Sequence, residues 1–132
     1  MKIFDSTLDA LETKLSLHSR RHALLSSNVA NNDTPGFRAR ELDFAGELQQ
    51  ALGEGKEDLI RTNSRHLDVD MPGDSHVVMD YSGAMGNDGN NIDLDIEMGK
   101  LGDNAREYNK AATYVSMKLR MLRMAASGSG GV

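Results

Sequence analysis

Two histidines lie four residues apart in a segment with helical periodicity, and this spacing can place two imidazoles on one zinc ion. No glutamate follows His18, and Arg20 and Arg21 stand between it and His22. Two positive side chains beside the pair would repel a cation, and no third ligand is evident in the sequence. We therefore predict no metal site and interpret the histidines as a hydrogen-bonded pair or one buried in an assembly.

A second candidate is a calcium loop at residues 68–73, which has carboxylates at its first and third positions and glycine at its sixth. Pro72 stands at the fifth position and Met79 at the twelfth, so two ligands are missing. Residues 86–91 resemble one repeat of a calcium-binding β-roll, but a single copy has nothing to stack on. Both segments are better interpreted as polar turns.

Composition and motifs both argue against catalysis. The sequence has no activated serine motif, phosphate-binding glycine loop or convergent acid–base pair, so we predict neither an enzyme nor a cofactor. The net charge of −5 disfavours nucleic acid, and the absence of cysteine excludes disulfides. The N-terminus lacks the apolar core of a cleaved signal peptide, so any export is expected to proceed without one.

Apolar residues recur at alternating steps of three and four near both ends of the chain, a pattern typical of helices that pair with another helix. The N-terminal seam comprises Phe4, Leu8, Leu11, Leu15, His18, His22, Leu25 and Val29. The C-terminal seam comprises Leu94, Met98, Leu101, Ala105, Tyr108, Ala112, Val115, Leu119, Leu122 and Ala126. We predict a mainly α protein whose long terminal helices pair as an antiparallel coiled-coil-like hairpin, with a small irregular or β central segment.

The predicted divisions are an N-terminal heptad helix at 1–34, a central loop, short helix and β segment at 35–91, a C-terminal heptad helix at 92–127, and a flexible tail at 128–132. Thr34, Pro35, Gly36 and Phe37 fit a type II turn. Within the central segment we expect a short helix at about 44–52, a strand at 76–81 and a flexible loop at 82–91.

The C-terminal helix is apolar on a second face, which carries Tyr114, Met117, Met121 and Met124. One hairpin covers one seam, and each side chain left exposed forgoes about 1.5–3 kcal/mol of burial. We infer that other chains cover this face. Two alternatives stay open. In one, the central segment folds over the methionines. In the other, the protein is a coiled-coil adaptor or chaperone that binds a partner protein through this face. The residues expected at an assembly interface are Leu8, Leu11, Leu15, Leu25, Val29, Leu101, Tyr108, Tyr114, Val115, Met117, Leu119, Met121, Leu122 and Met124.

Residues 28–37 resemble the signature of the bacterial flagellar axial proteins, the family of rod, hook and hook-associated subunits. That signature runs Asn, Ile or Val, Ala, Asn, two variable positions, Thr, Pro, Gly, then Tyr or Phe. The matching positions are Asn28, Val29, Ala30, Asn31, Thr34, Pro35, Gly36 and Phe37. Residues 38–44, 61–67 and 91–98 resemble the proximal rod branch of this family, and the shortness of the chain agrees.

This resemblance implies a structural subunit without a cofactor. Members of the family are exported through the flagellar type III apparatus and polymerise in the periplasm. Their terminal helices pair and stack into the inner tube of the axle. The implied partners are further copies, other rod proteins, and the inner-membrane (MS) ring with its adaptor protein, through which torque passes. No nucleic acid is implied.

Overall fold

The computed structural model describes residues 2–52 and 77–128. In chain order these form α1 (Lys2–Ala30), β1 (Arg40–Leu42), α2 (Phe44–Leu52), β2 (Val77–Met79) and α3 (Leu94–Gly128). The two long helices pack against each other and run antiparallel, because residues late in α1 meet residues early in α3. The mainly α fold with paired terminal helices is thereby confirmed. The sequence features at 61–67 and 68–73 lie outside the described residues.

Local sequence explains where α3 begins. The Asp93 carboxylate accepts hydrogen bonds from the backbone N–H groups of Asp95 and Ile96, at 3.0 and 3.2 Å. A side chain in this position satisfies donors that have no partner inside the helix, which fixes the first turn. Among the described residues, no helix is both long and apolar enough to cross a membrane.

The central elements join the two helices at one end of the hairpin. β1 and β2 pair antiparallel, with Arg40 opposite Met79 and Leu42 opposite Val77. α2 packs on α1, where the Phe44 ring lies 4.5 Å from the imidazole of His18. The buried apolar residues of the described chain are few: Leu17, Leu25, Ala39, Leu42 and Ala111. Polar groups therefore occupy much of the interior.

Residues 82–91 are ordered by hydrogen bonds and are not the flexible loop that their glycines and asparagines suggested. Gly36 donates its backbone N–H to Asp88 at 2.9 Å, and Asn91 donates to Phe37 at 3.4 Å. Gly86 donates to the carbonyl of Asn90 at 2.7 Å. This segment thus packs against the turn that follows α1.

Candidate assembly surface

The edge of α3 that faces α1 is rotated by one residue from the predicted seam. Its buried residues are Glu97, Asn104 and Ala111, each seven positions after the last. The seam residues Met98 and Leu119 are instead 54% and 50% exposed. Both helices carry apolar side chains on neighbouring stripes, so the sequence pattern alone did not decide which stripe faces the partner helix.

The first buried layer of the hairpin is polar and joins three elements. Asn28, at the end of α1, donates its side-chain amide to the Glu97 carboxylate and to the backbone carbonyl of Arg40, both at 2.8 Å. Its amide oxygen accepts the Arg40 backbone N–H at 3.1 Å. Asn28 and Glu97 are 1% and 2% exposed. Asn28, the first residue of the sequence signature, therefore links α1 to both β1 and α3 through hydrogen bonds.

Lys100 extends this layer to the loop after β2. Its ammonium donates to Glu97 at 3.0 Å and also pairs with the Asp80 carboxylate. Burial disfavours the charged form of Asp80, but hydrogen bonds from Lys100 and Ser82 outweigh it, so the pKa of Asp80 is lowered. Burial likewise opposes the charge on Lys100, yet its bonds to the two carboxylates raise the pKa of that ammonium. Both groups are thus held in their charged forms.

The second buried layer, two helical turns away, contains His18 and Asn104. The Nδ1 atom of His18 lies 2.7 Å from the Asn104 amide oxygen, and the Asn104 amide nitrogen donates to the His18 carbonyl at 2.8 Å. That second bond orients the amide, so Nδ1 carries the proton. Nε2 of His18 is buried without a hydrogen-bond partner in the described structure.

The two histidines therefore have different surroundings. His18 is 4% exposed inside the seam, whereas His22 is exposed at the rim of a groove that Asn104 and Tyr108 of α3 also line. Within the described residues, no group of three histidine, aspartate or glutamate side chains is placed to hold a metal ion.

The signature turn is held by an asparagine that lies 56 to 59 positions later in the sequence. The side-chain amide of Asn90 contacts the carbonyl oxygens of Asn31, Asn32 and Thr34 at 3.0, 2.8 and 2.9 Å. Gly36 has φ 75°, and Phe37 donates its N–H to Thr34 at 3.2 Å, as the third and fourth residues of a type II turn should. The loop before α3 and the turn after α1 therefore form one unit.

The signature residues divide into anchors and surface. Asn28 is buried and Asn31 and Phe37 are half-buried, whereas Ala30, Thr34, Pro35 and Gly36 are exposed. The exposed members of the turn are free to contact another molecule.

The predicted interface residues also divide. Leu25 is buried, and a half-buried group completes the hairpin: Leu8, Leu11, Leu15, Val29, Leu101, Val115 and Leu122. The exposed group, between 42% and 60% accessible, consists of Tyr108, Tyr114, Met117, Leu119, Met121 and Met124. A groove of about 330 Å³ along Tyr114, Met117 and Met121 reaches Leu11 of α1. The second apolar face of α3 therefore faces solvent in the single chain.

Sequence reasoning missed the polar residues that hold the hairpin. Glu97 stands outside the predicted seam, and Asn90 falls in the segment predicted to be a flexible loop. A usable signal did exist: Glu97 and Asn104 lie seven residues apart, and Asn28 precedes an apolar seam position in the same way. Polar residues at a heptad period beside an apolar seam indicate buried layers that fix register.

Several known proteins that are similar in sequence to this chain have the same name, although no protein-family model matches the chain. The flagellar basal body rod protein FlgB of Proteus mirabilis strain HI4320 is 30% identical over 126 residues, which cover 89% of this chain and 91% of that protein. FlgB of Salmonella typhimurium is 32% identical, covering 88% and 89%. FlgB of Aeromonas hydrophila is 33% identical, covering 95% and 96%. The similarity thus spans nearly the full length of each pair.

Proposed function

The chain belongs to the family of FlgB flagellar basal body rod proteins, and we propose that it is a structural subunit of the proximal rod. In this role it assembles with further copies and with other axial proteins into the drive shaft that transmits torque. Its neighbours are other rod proteins and the MS ring with its adaptor protein. Delivery through the flagellar type III export apparatus brings it to the periplasm, where the rod grows.

The exposed apolar face of α3 carries this proposal. Tyr114, Met117, Met121 and Met124 are each at least half exposed on one chain. A contiguous apolar patch on a helix is a poor surface for an isolated soluble molecule and marks a contact with another protein. Methionine side chains adapt to neighbours of different shape, which suits a subunit that meets more than one kind of partner.

The polar seam supports the same role from the inside. Asn28, Glu97, His18 and Asn104 satisfy most of their hydrogen bonds in one antiparallel register only. Buried polar layers fix register at some cost in stability. Each subunit therefore presents its outer face in a fixed geometry, as a repeating assembly requires.

The test uses two substitutions that place a carboxylate on the helices. Leu119 is 50% exposed, so Leu119→Asp should leave the hairpin folded while blocking incorporation into the basal body. Leu11 is half-buried, so Leu11→Asp should weaken the hairpin as well. Asn109→Asp is the matched control, because it adds the same charge at an exposed polar position of α3.

The measurements are swimming in soft agar and detection of the subunit in isolated basal bodies, with circular dichroism to report folding. We expect Leu119→Asp to fold, to be absent from basal bodies and to abolish motility, while the control swims. Normal motility of both leucine variants would refute the proposal that these helices build the rod.

A further inference from the structure

The two ends of α3 expose apolar side chains beside opposite charges. Near its N-terminus Leu94 and Met98 are 43% and 54% exposed, and Asp95 lies between them. We name Leu94, Asp95, Met98, Gly99 and Gly102 the acidic patch. Near the C-terminus Met117, Arg120, Met121 and Met124 follow one another at helical spacing and are all exposed, and we name them the basic patch. Residues three and four apart are neighbours on a helix surface, so each patch is continuous.

The helix dipole does not explain the basic patch. The dipole favours cations only within the last turn of a helix, and the last turn of α3 contains no basic residue. Arg120 lies two turns before the end of the helix at Gly128. Within the described residues Arg120 and Asp95 take part in no ion pair. Their charges are therefore available to another molecule.

The acidic patch has room for large side chains. Gly99 and Gly102 lie inside α3, where glycine weakens a helix. A Cβ atom added at either position would meet nothing within 4 Å. The folded chain thus gives no packing reason for two glycines one turn apart. They leave a notch beside Met98 that a flexible methionine of another molecule can fill.

We propose that the acidic patch of one copy docks on the basic patch of a second copy. Asp95 pairs with Arg120 of the neighbour, whose methionines pack over Met98 and the two glycines. This contact rests on the proposed function and specifies how copies of the chain meet within it. The patches are separated by about 35 Å along α3, given 1.5 Å per helical residue, so one chain cannot close the contact on itself. A contact between two different patches is head-to-tail and continues into a ring or an open helix.

The experiment exchanges the two charges between chains. Sedimentation equilibrium of the purified chain is compared with Arg120→Asp, with Asp95→Arg, and with an equimolar mixture of the two variants. In each variant alone, like charges face each other across the contact, so we expect association to weaken by roughly tenfold or more. In the mixture every contact between unlike variants is complementary, so association should return. Arg40→Glu is the control, since Arg40 is exposed on β1 and contributes its backbone, not its side chain, to the hydrogen bonds with Asn28.

Three results would overturn this contact: a wild-type chain that stays monomeric, single variants that associate like wild type, or a mixture that fails to recover. The basal-body assay separates these from failure of the proposed function. If Arg120→Asp chains still enter basal bodies and support swimming, the protein is a rod subunit whose copies meet through other surfaces. Circular dichroism of every variant verifies that α3 is still formed.

Discussion

Replacing Asn28 by alanine tests whether the polar layer holds the hairpin together. The change removes a hydrogen bond to the buried Glu97 carboxylate and two bonds to the backbone of Arg40. A bond to a charged group is worth about 1.5–3 kcal/mol and a neutral one about 0.5–1.5 kcal/mol. Because the partners stay buried without replacement, we expect Asn28→Ala to lower the free energy of unfolding by about 3–5 kcal/mol. The total free energy of unfolding of a protein domain is about 5–15 kcal/mol, so this loss would be a large fraction of it.

A carboxylate at the same position separates shape from hydrogen bonding. Asn28→Asp keeps the size of the side chain and its acceptor for Arg40, but it loses the donor and faces Glu97 with a second negative charge. We expect it to be at least as destabilising as Asn28→Ala. Combining it with Glu97→Gln should recover part of the loss, because the new amide can donate to the carboxylate.

Urea unfolding followed by circular dichroism at helical wavelengths measures these differences. Asn109→Ala provides the control, since Asn109 is exposed on α3 and should change stability by less than about 0.5 kcal/mol. If the free energy of unfolding of Asn28→Ala lies within about 1 kcal/mol of the wild-type value, the polar layer is not what joins α1, β1 and α3.

Three further perturbations test other parts of the molecule. Gly36→Val should disrupt the turn and reduce incorporation into basal bodies, because a β-branched residue resists φ 75°, whereas Gly36→Asn should be tolerated. The lowered pKa of Asp80 and raised pKa of Lys100 mean that the pair stabilises the fold between their ordinary values of 3.8 and 10.5. The stability advantage of wild type over Lys100→Met should therefore shrink as pH falls below that range and as it rises above it, in urea titrations. Asn104→Ala should cost about 1–3 kcal/mol, whereas replacing His18 and Asn104 together by leucine should be nearly neutral; equal losses would contradict the paired-layer account.

The paired helices could be predicted because their signal is local and long. Apolar residues repeat over many turns at both ends, and Phe44, Leu48 and Leu52 form one stripe of a short helix. The turn was equally accessible, since Pro35 and Gly36 each favour a particular backbone conformation. These features depend on residues close together in the chain.

The heptad spacing of the polar residues indicates buried layers, but the partners within each layer could not be read from the sequence because they are distant in the chain. Asn28 meets Glu97 across 69 positions, and His18 meets Asn104 across 86. A helix that is apolar on neighbouring stripes has more than one stripe that could face its partner, so the sequence pattern does not distinguish Ala111 from Ala112 as the buried residue. The loop at 82–91 was misjudged for a related reason. The side chain of Asn90 hydrogen-bonds to the carbonyls of Asn31 and Asn32, just after α1, which local composition does not reveal.

Two buried polar layers link the helices at the end of the hairpin that carries the turn. In the described residues, the Asn28 and His18 layers lie in the half nearest the turn, and beyond them the ion pair of Lys14 with Glu107, at 3.7 Å, is the next polar link. α3 has no buried residue after Ala111, and its exposed methionines lie beyond that point. Local opening should therefore begin at the ends of the helices farthest from the turn. The hairpin is thus tightly packed next to the turn and less tightly packed at the other end of its helices. The less tightly packed helix ends can adjust to the surface of a neighbouring subunit, while the buried polar layers keep the two helices in register.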